Sequence, residues 1–301
     1  MSDKPVLIVI EGPTGVGKTE IGIELASYFH SDIISADSRQ FYKELNIGTA
    51  KQSDEQLATV KHHFVNTLSV FDYYNAYLFD QDVQTFLTGY FKDADICFMV
   101  GGSGMYIDAV CNGIDLIPDI ATEIRNDVSQ KFKNEGIESL QRELKRIDRE
   151  YYSTVDKQNP ARLIRAIEVF KQTGKPYSSF RVHSKKERQY TILKIALERK
   201  REVLYERINA RVHSMMKQGL ESETRLWNDH RTLNALQTVG YKEFFDYFDG
   251  KADMPATINA IQQNTRRYAK KQITWFKKDI DTHWIDADNI DLMIQLIQSH
   301  C

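Results

Sequence analysis

Apolar residues along the chain fall into short runs separated by longer stretches of helical periodicity. Val6–Ile10, Asp32–Ser35, Ile96–Val100, Thr191–Leu197 and His283–Ile285 read as buried strands. Behind the first of them, Ile21, Leu25 and Phe29 recur at helical spacing. Strands that alternate with helices predict an α/β fold, a parallel sheet with right-handed crossovers, and a ligand crevice at the carboxyl ends of the strands. The texture changes between about residues 116 and 188. That segment opens with Leu116-Ile117-Pro118 and continues as charged helical pattern over Glu123–Glu135, Ile137–Ile147 and Arg162–Lys171, with no obvious strand. It reads as an all-helical insertion domain, which leaves 1–115 and 189–301 as one core domain. More helix follows from Arg201 to about Lys278.

At 301 residues, 42% of them hydrophobic and 27% charged, the chain is expected to be a soluble protein with a sizeable core. Its net charge of −2 gives no global attraction to a polyanion, so any nucleic-acid surface has to be local. Two stretches are locally basic. Residues 181–201 carry eight Lys/Arg against two Glu, and residues 265–278 carry six Lys/Arg and no acid. On a helix, Arg266, Lys270 and Lys277 form one stripe flanked by Arg267, Lys271 and Lys278, while Ala269, Ile273 and Phe276 share another face. Such a helix either packs on the core and faces phosphates, or presents a solvated basic face. The three cysteines, Cys97, Cys111 and Cys301, form no metal-ligand spacing and fit a reducing, cytoplasmic setting. The opening Met-Ser-Asp-Lys-Pro leads straight into a strand, so neither a signal peptide nor a membrane span is expected.

The candidate chemistry begins at Gly12-Pro13-Thr14-Gly15-Val16-Gly17-Lys18-Thr19, which follows the first strand and opens the first helix. This is the phosphate-loop pattern, and it predicts a P-loop NTPase-like sheet. Its glycines let backbone N–H groups converge, Lys18 supplies a point charge, and the Thr19 hydroxyl can help hold Mg²⁺. Nucleotide hydrolases of this kind commonly end a neighbouring strand in a metal-binding Asp. Here the strand Ile96–Val100 instead runs into Gly101-Gly102-Ser103-Gly104, a second glycine turn that brings backbone and the Ser103 hydroxyl near a ligand. Asp37, at the end of the second strand and followed by Ser38, Arg39 and Gln40, reads as a Mg²⁺ ligand, a general base or a helix cap. His62-His63 is expected to contain one packed or hydrogen-bonded histidine and no metal ligand.

Taken in order, these segments resemble the tRNA dimethylallyltransferases, also called tRNA isopentenyltransferases. The resemblance runs over nearly the whole chain: Gly12–Thr19, Asp37–Tyr42, Ile47–Lys51, His62-His63, Gly101–Tyr106, Asn159–Val169, Thr173–Pro176, Gly240–Glu243 and Tyr268–Phe276. The chain departs from the family pattern at Ser103, where the family has Thr, at Asn159, where it has Asp, and at Lys61, where it has Pro. It also ends without the zinc-finger extension of eukaryotic members, and so resembles the bacterial type.

The resemblance implies transfer of a dimethylallyl group from dimethylallyl diphosphate to the N6 amine of the adenosine immediately 3′ of a tRNA anticodon, with release of diphosphate. Gly12, Thr14, Gly15, Val16, Gly17, Lys18 and Thr19 would then bind the diphosphate, with Mg²⁺ near Thr19. Asp37, Lys18, Thr19, Ser103 and Arg211 would serve catalysis. Ser38, Arg39, Gln40, Arg162, Arg165, Arg266, Lys270 and Lys271 would meet the anticodon stem-loop, and no obligate protein partner is implied. A small-molecule P-loop kinase, a prenyltransferase acting on free AMP and a nucleotide-binding regulator are the competing readings.

Overall fold

The computed structural model describes residues 4–181 and 186–301. Among these, strands β1 (Val6–Glu11), β2 (Ile33–Ala36), β3 (His62–His63), β4 (Ile96–Gly101), β5 (Thr191–Glu198) and β6 (His283–Asp286) form one sheet in the order β3-β2-β4-β1-β5-β6. Every pairing is parallel. All strand carboxyl ends therefore lie along one edge, and the loops after β1 and β4 are neighbours. Each of the five strands read from the sequence is present and ends within a residue of its expected limit. The sixth, β3, is a two-residue edge strand that polar, half-buried histidines disguise.

The core unit comprises Met1–Cys111 with Glu187–Cys301, and Asn112–Lys186 forms a second unit. In the core unit, β1 is buried along its whole length, as an apolar run in a central parallel strand must be. Its side chains alternate between two hydrophobic layers. Val6, Ile8 and Ile10 pack with α1 (Lys18–Tyr28), while Leu7 and Val9 pack towards residues of α3 and α4. Here α2 is Asp54–Thr59, α3 is Ala76–Tyr90 and α4 is Gly104–Asn112.

In the second unit, α5 (Thr122–Ile147), α6 (Arg149–Thr154) and α7 (Pro160–Thr173) enclose a core that includes Val128, Leu140, Leu144, Leu163 and Ile167. The two helical segments read from the sequence there are both present: α5 consists of two helices that meet at the non-helical Gly136, with φ 72°. Asn159 caps α7 by accepting the Arg162 N–H at 3.3 Å. Capping needs an oxygen and no charge, so Asn serves at this position as Asp would.

The core unit continues with α8 (Arg201–Gln218), α9 (Leu220–Leu226), α10 (Lys242–Phe248), α11 (Met254–Phe276) and α12 (Ile290–Gln298). Helix α11 carries the basic stretch. Ala269, Gln272 and Phe276 are buried, whereas Lys270 and Lys271 are exposed. The other basic stretch is partly neutralised by acids distant in sequence, which pair three of its eight cations. Arg188 pairs with Asp80 at 2.8 Å, Lys194 with Asp279 at 2.5 Å and Arg199 with Asp288 at 2.7 Å. Residues 182–185 of that stretch lie outside the described residues. Among the described residues, no helix is long and apolar enough to cross a membrane.

Helix α1 approaches the sheet closely through Gly22, where an added Cβ would lie 2.7 Å from a Val100 methyl. Gly22→Ala should therefore destabilise the protein by about 1–3 kcal/mol in urea denaturation. Adding Val100→Ala should recover part of that loss, whereas strict additivity of the two changes would contradict the packing argument.

Candidate active site

The loop after β1 is shaped by glycine backbone and by cations that grip its carbonyls. Gly17 sits at φ 114° immediately before α1, a conformation that L side chains rarely adopt, and so opens the N-terminal end of the helix. Arg207 Nε donates to the Gly15 carbonyl, and Arg199 Nε to that of Val16, each at 2.8 Å. Lys18 Nζ donates to the Pro13 carbonyl at 2.8 Å. With these carbonyls engaged, the amides of the loop's later residues and of the first helical turn are the groups left to meet an anion.

A cleft opens beside this loop. Thr14, Gly15, Gly17, Lys18 and Thr19 line it together with Asp37, Arg39 and Gly102. Arg211 enters from α8, and Tyr268 and Gln272 from α11. Ile208, Val212, Met215, Val239 and Ile261 add an apolar side. A second cleft shares Gly15, Thr19, Ala50, Arg211 and Met215 with the first, so the phosphate loop can be approached from two directions.

The electrostatics favour an anion. Burial pushes the Lys18 ammonium down to about 8, although Asp37 favours its charge, and Arg211 adds to the downward push. Arg211 is also disfavoured by burial and by Arg207, and is supported by Glu20 and Asp37. Directly before the loop, burial raises Glu11 to about 8, so this carboxyl is largely neutral at pH 7 and adds little negative charge. Among the described residues, no cluster of His, Cys, Asp or Glu could hold a metal by itself.

Asp37 Oδ1 accepts the Arg39 N–H at 3.0 Å, which closes a local turn. No helix begins there, so the helix-cap reading of Asp37 falls away. Ser103 Oγ accepts the Ser38 N–H at 2.9 Å and lies 3.2 Å from Ser38 Oγ, so this hydroxyl ties the turn after β4 to the end of β2. Gln40 is buried, and its amide nitrogen donates to the Thr49 and Ala50 carbonyls at 3.2 Å each. Arg266 is held by Asn209 at 2.6 Å. Lys270 and Lys271 stay exposed on α11. Arg162 and Arg165 lie on α7 in the other unit, where Arg165 approaches Glu168 at 3.9 Å. Both histidines of the pair are hydrogen-bonded, His62 to the Val60 carbonyl and His63 to Asp32, each at 2.7 Å.

Several functional positions carry little local signal. Gln272 accepts the Thr14 N–H and donates to the Gly102 carbonyl, both at 2.8 Å. Its only mark in the sequence is that a polar residue shares the apolar stripe of Ala269 and Phe276. Glu223 binds the N–H groups of Asn46 (3.0 Å), Ile47 (2.9 Å) and Gly48 (2.9 Å), as well as the Tyr241 hydroxyl (2.6 Å). It thereby sets the loop that brings Gly48, Thr49 and Ala50 to the cleft. Arg207 and Arg211, four apart on α8, could have been paired by helical spacing.

Bound anion should raise the Lys18 pKa, so binding above pH 8 should take up a proton. Calorimetry with inorganic pyrophosphate, run at pH 8.5 in buffers of different ionisation enthalpy, should show that uptake in the wild type and none in Lys18→Met. Once corrected for pyrophosphate's own titration, affinity should fall with pH above about 8, by up to about tenfold per unit. A pH-independent corrected affinity would contradict the role of Lys18.

Comparison with known proteins agrees with this geometry. The IPP transferase family model matches residues 40–279, and the isopentenyl transferase model matches residues 5–74. The chain is 50% identical over 284 residues to tRNA dimethylallyltransferase 1 of Bacteroides thetaiotaomicron, covering 94% of this chain and 92% of that protein. It is 46% identical over 282 residues to the tRNA dimethylallyltransferase of Christiangramia forsetii, covering 94% and 93%. The crystal structure of the tRNA isopentenylpyrophosphate transferase of Bacillus halodurans superposes with TM-score 0.72 at 31% identity, covering 98% of this chain and 96% of that one. A eukaryotic dimethylallyltransferase described as acting on tRNA shares the fold, with TM-score 0.77 at 24% identity over 95% of this chain and 75% of that one. A chain with this phosphate-loop cleft and these whole-length matches belongs to the IPP transferase family, that of the tRNA dimethylallyltransferases.

Proposed function

We propose that the cleft transfers a dimethylallyl group from dimethylallyl diphosphate to the N6 amine of the adenosine 3′ of a tRNA anticodon. The observation that carries this reading is that Lys18 and Asp37 line one cleft and interact electrostatically, beside a second glycine turn in place of a hydrolase's strand-end carboxylate. The amides of the phosphate loop, Lys18 and Arg211 bind the diphosphate and take up its charge as the allylic C–O bond breaks. Thr19 would hold Mg²⁺ together with diphosphate oxygens, and that ion adds further neutralisation of the leaving group. Asp37 accepts a hydrogen bond from the adenine amine and takes its proton as the new C–N bond forms. The apolar side of the cleft shields the allylic carbon from water. The two clefts meeting at Thr19 and Arg211 give diphosphate and base separate approaches.

The acceptor base has to leave its stack to reach Asp37, which an anticodon loop permits more readily than a duplex. Lys270 and Lys271, exposed beside the cleft-lining Tyr268 and Gln272, suit contact with the RNA backbone. No ion pair to either lysine forms among the described residues, which favours this over a paired surface stripe. A small-molecule kinase reading is disfavoured because Gly101-Gly102-Ser103-Gly104 stands where a metal-binding strand-end carboxylate is expected, and a nucleotide-binding regulator would leave that turn and Asp37 without a purpose.

Asp37→Ala should lower turnover with tRNA by at least about 10²-fold while tRNA affinity changes only a few-fold. Near-normal turnover would remove Asp37 from the reaction. Lys270→Ala with Lys271→Ala should weaken tRNA binding and flatten its dependence on salt concentration, since each lost phosphate contact reduces counterion release. An unchanged salt slope would place α11 outside the RNA interface.

A further inference from the structure

Not every amide of the phosphate loop is available to a ligand. The Thr14 N–H already donates to Gln272 Oε1 at 2.8 Å, and the other end of the same carboxamide donates to the Gly102 carbonyl at 2.8 Å. Gln272 is buried, so neither bond competes fully with water. The side chain thus bridges the loop after β1 and the turn after β4, the two backbone segments that flank Lys18. Its amide nitrogen and the Lys18 ammonium lie against the same point above Gly102: a Cβ there would stand 2.5 Å from Nε2 and 3.4 Å from Nζ. A carboxamide is the side chain that fits, because the bridge requires an acceptor at one end and a donor at the other.

We infer that Gln272 is a positioning residue for diphosphate binding. It keeps the Thr14 amide for itself, turns that peptide so that the amides of Gly15, Gly17 and Lys18 converge on the ligand, and fixes the Gly102 backbone beside Lys18. This rests on the reading of the cleft as a diphosphate site. It also removes Thr14 from the amides that meet the diphosphate, where the loop pattern alone would include it. Glutamate at 272 would lose the donor to Gly102 and place a negative charge beside Lys18. Methionine would lose both bonds at similar volume.

Two measurements test the assignment, with inorganic pyrophosphate as the probe. In the wild-type protein, hydrogen exchange at the Thr14 amide should be slow before pyrophosphate is added and unchanged after, while the amides of Gly17 and Lys18 gain protection. A Thr14 amide that exchanges freely in the free protein and becomes protected by pyrophosphate would overturn the inference. This readout requires no variant to fold.

In folded Gln272→Met, pyrophosphate affinity should fall by about tenfold or more. The KM for dimethylallyl diphosphate should rise in parallel, with kcat within about threefold and tRNA affinity unchanged. Gln272→Glu should lose affinity too, because it lacks the donor to Gly102 and sets a negative charge against the diphosphate. Pyrophosphate affinity within twofold of wild type in both variants would overturn the inference, as would a loss of kcat with no change in KM. A wild-type protein that binds pyrophosphate with the expected exchange pattern, yet transfers no dimethylallyl group, would support the role of Gln272 while contradicting the transfer reaction.

Discussion

At the end of β4, Gly101 lies so close to β2 that a Cβ would stand 2.2 Å from the Ala36 carbonyl oxygen. That approach brings the turn at Gly102 and Ser103 alongside both Asp37, which follows β2, and the phosphate loop, which follows β1. It is possible because β4 is inserted between β1 and β2 and all three run in parallel, so three carboxyl-terminal loops share one edge. Ser103 then pins the arrangement through Ser38, and Gln272 pins it through Thr14. Any larger residue at 101 would push the turn after β4 away from the end of β2, and so separate the phosphate loop from Asp37.

The charge distribution follows from the same crowding. Lys18 and Arg211 are both opposed by burial and by each other's neighbourhood, and Asp37 favours the charge of both. A site holding several half-buried cations around the two carboxylates Asp37 and Glu20 is relieved when an anion enters. The neutral Glu11 beneath the loop preserves that imbalance. Arg207 contributes charge while its guanidinium holds the Gly15 carbonyl, whereas Arg199, itself paired with Asp288, shapes the loop by holding the carbonyl of Val16.

Much of this was legible in the sequence because it depends on local pattern. The strands are continuous apolar runs, and the phosphate loop is a contiguous motif whose glycines have local backbone reasons. Asp37 stands out as a carboxylate at a strand end. The contacts that complete the site escape such reading because they join distant residues. Thr14 and Gln272 are 258 positions apart, and Gly48 and Glu223 are 175 apart. The basic stretch near Arg188 illustrates the converse: its charge density is real in sequence, but Asp80, Asp279 and Asp288 cancel part of it in space. Ser103 and Gln40 were noticed for their chemistry, while the fold uses their polar atoms to hold backbone in place.

The central claim is that one cleft joins a diphosphate leaving group to a macromolecular acceptor. Its most direct test offers the protein labelled dimethylallyl diphosphate and Mg²⁺ together with unmodified tRNA, and AMP in a parallel reaction. Label in the tRNA, confined to the adenosine 3′ of the anticodon and absent from AMP, is the result this account requires. Label in AMP alone would contradict the macromolecular acceptor, and label in neither would contradict prenyl transfer itself.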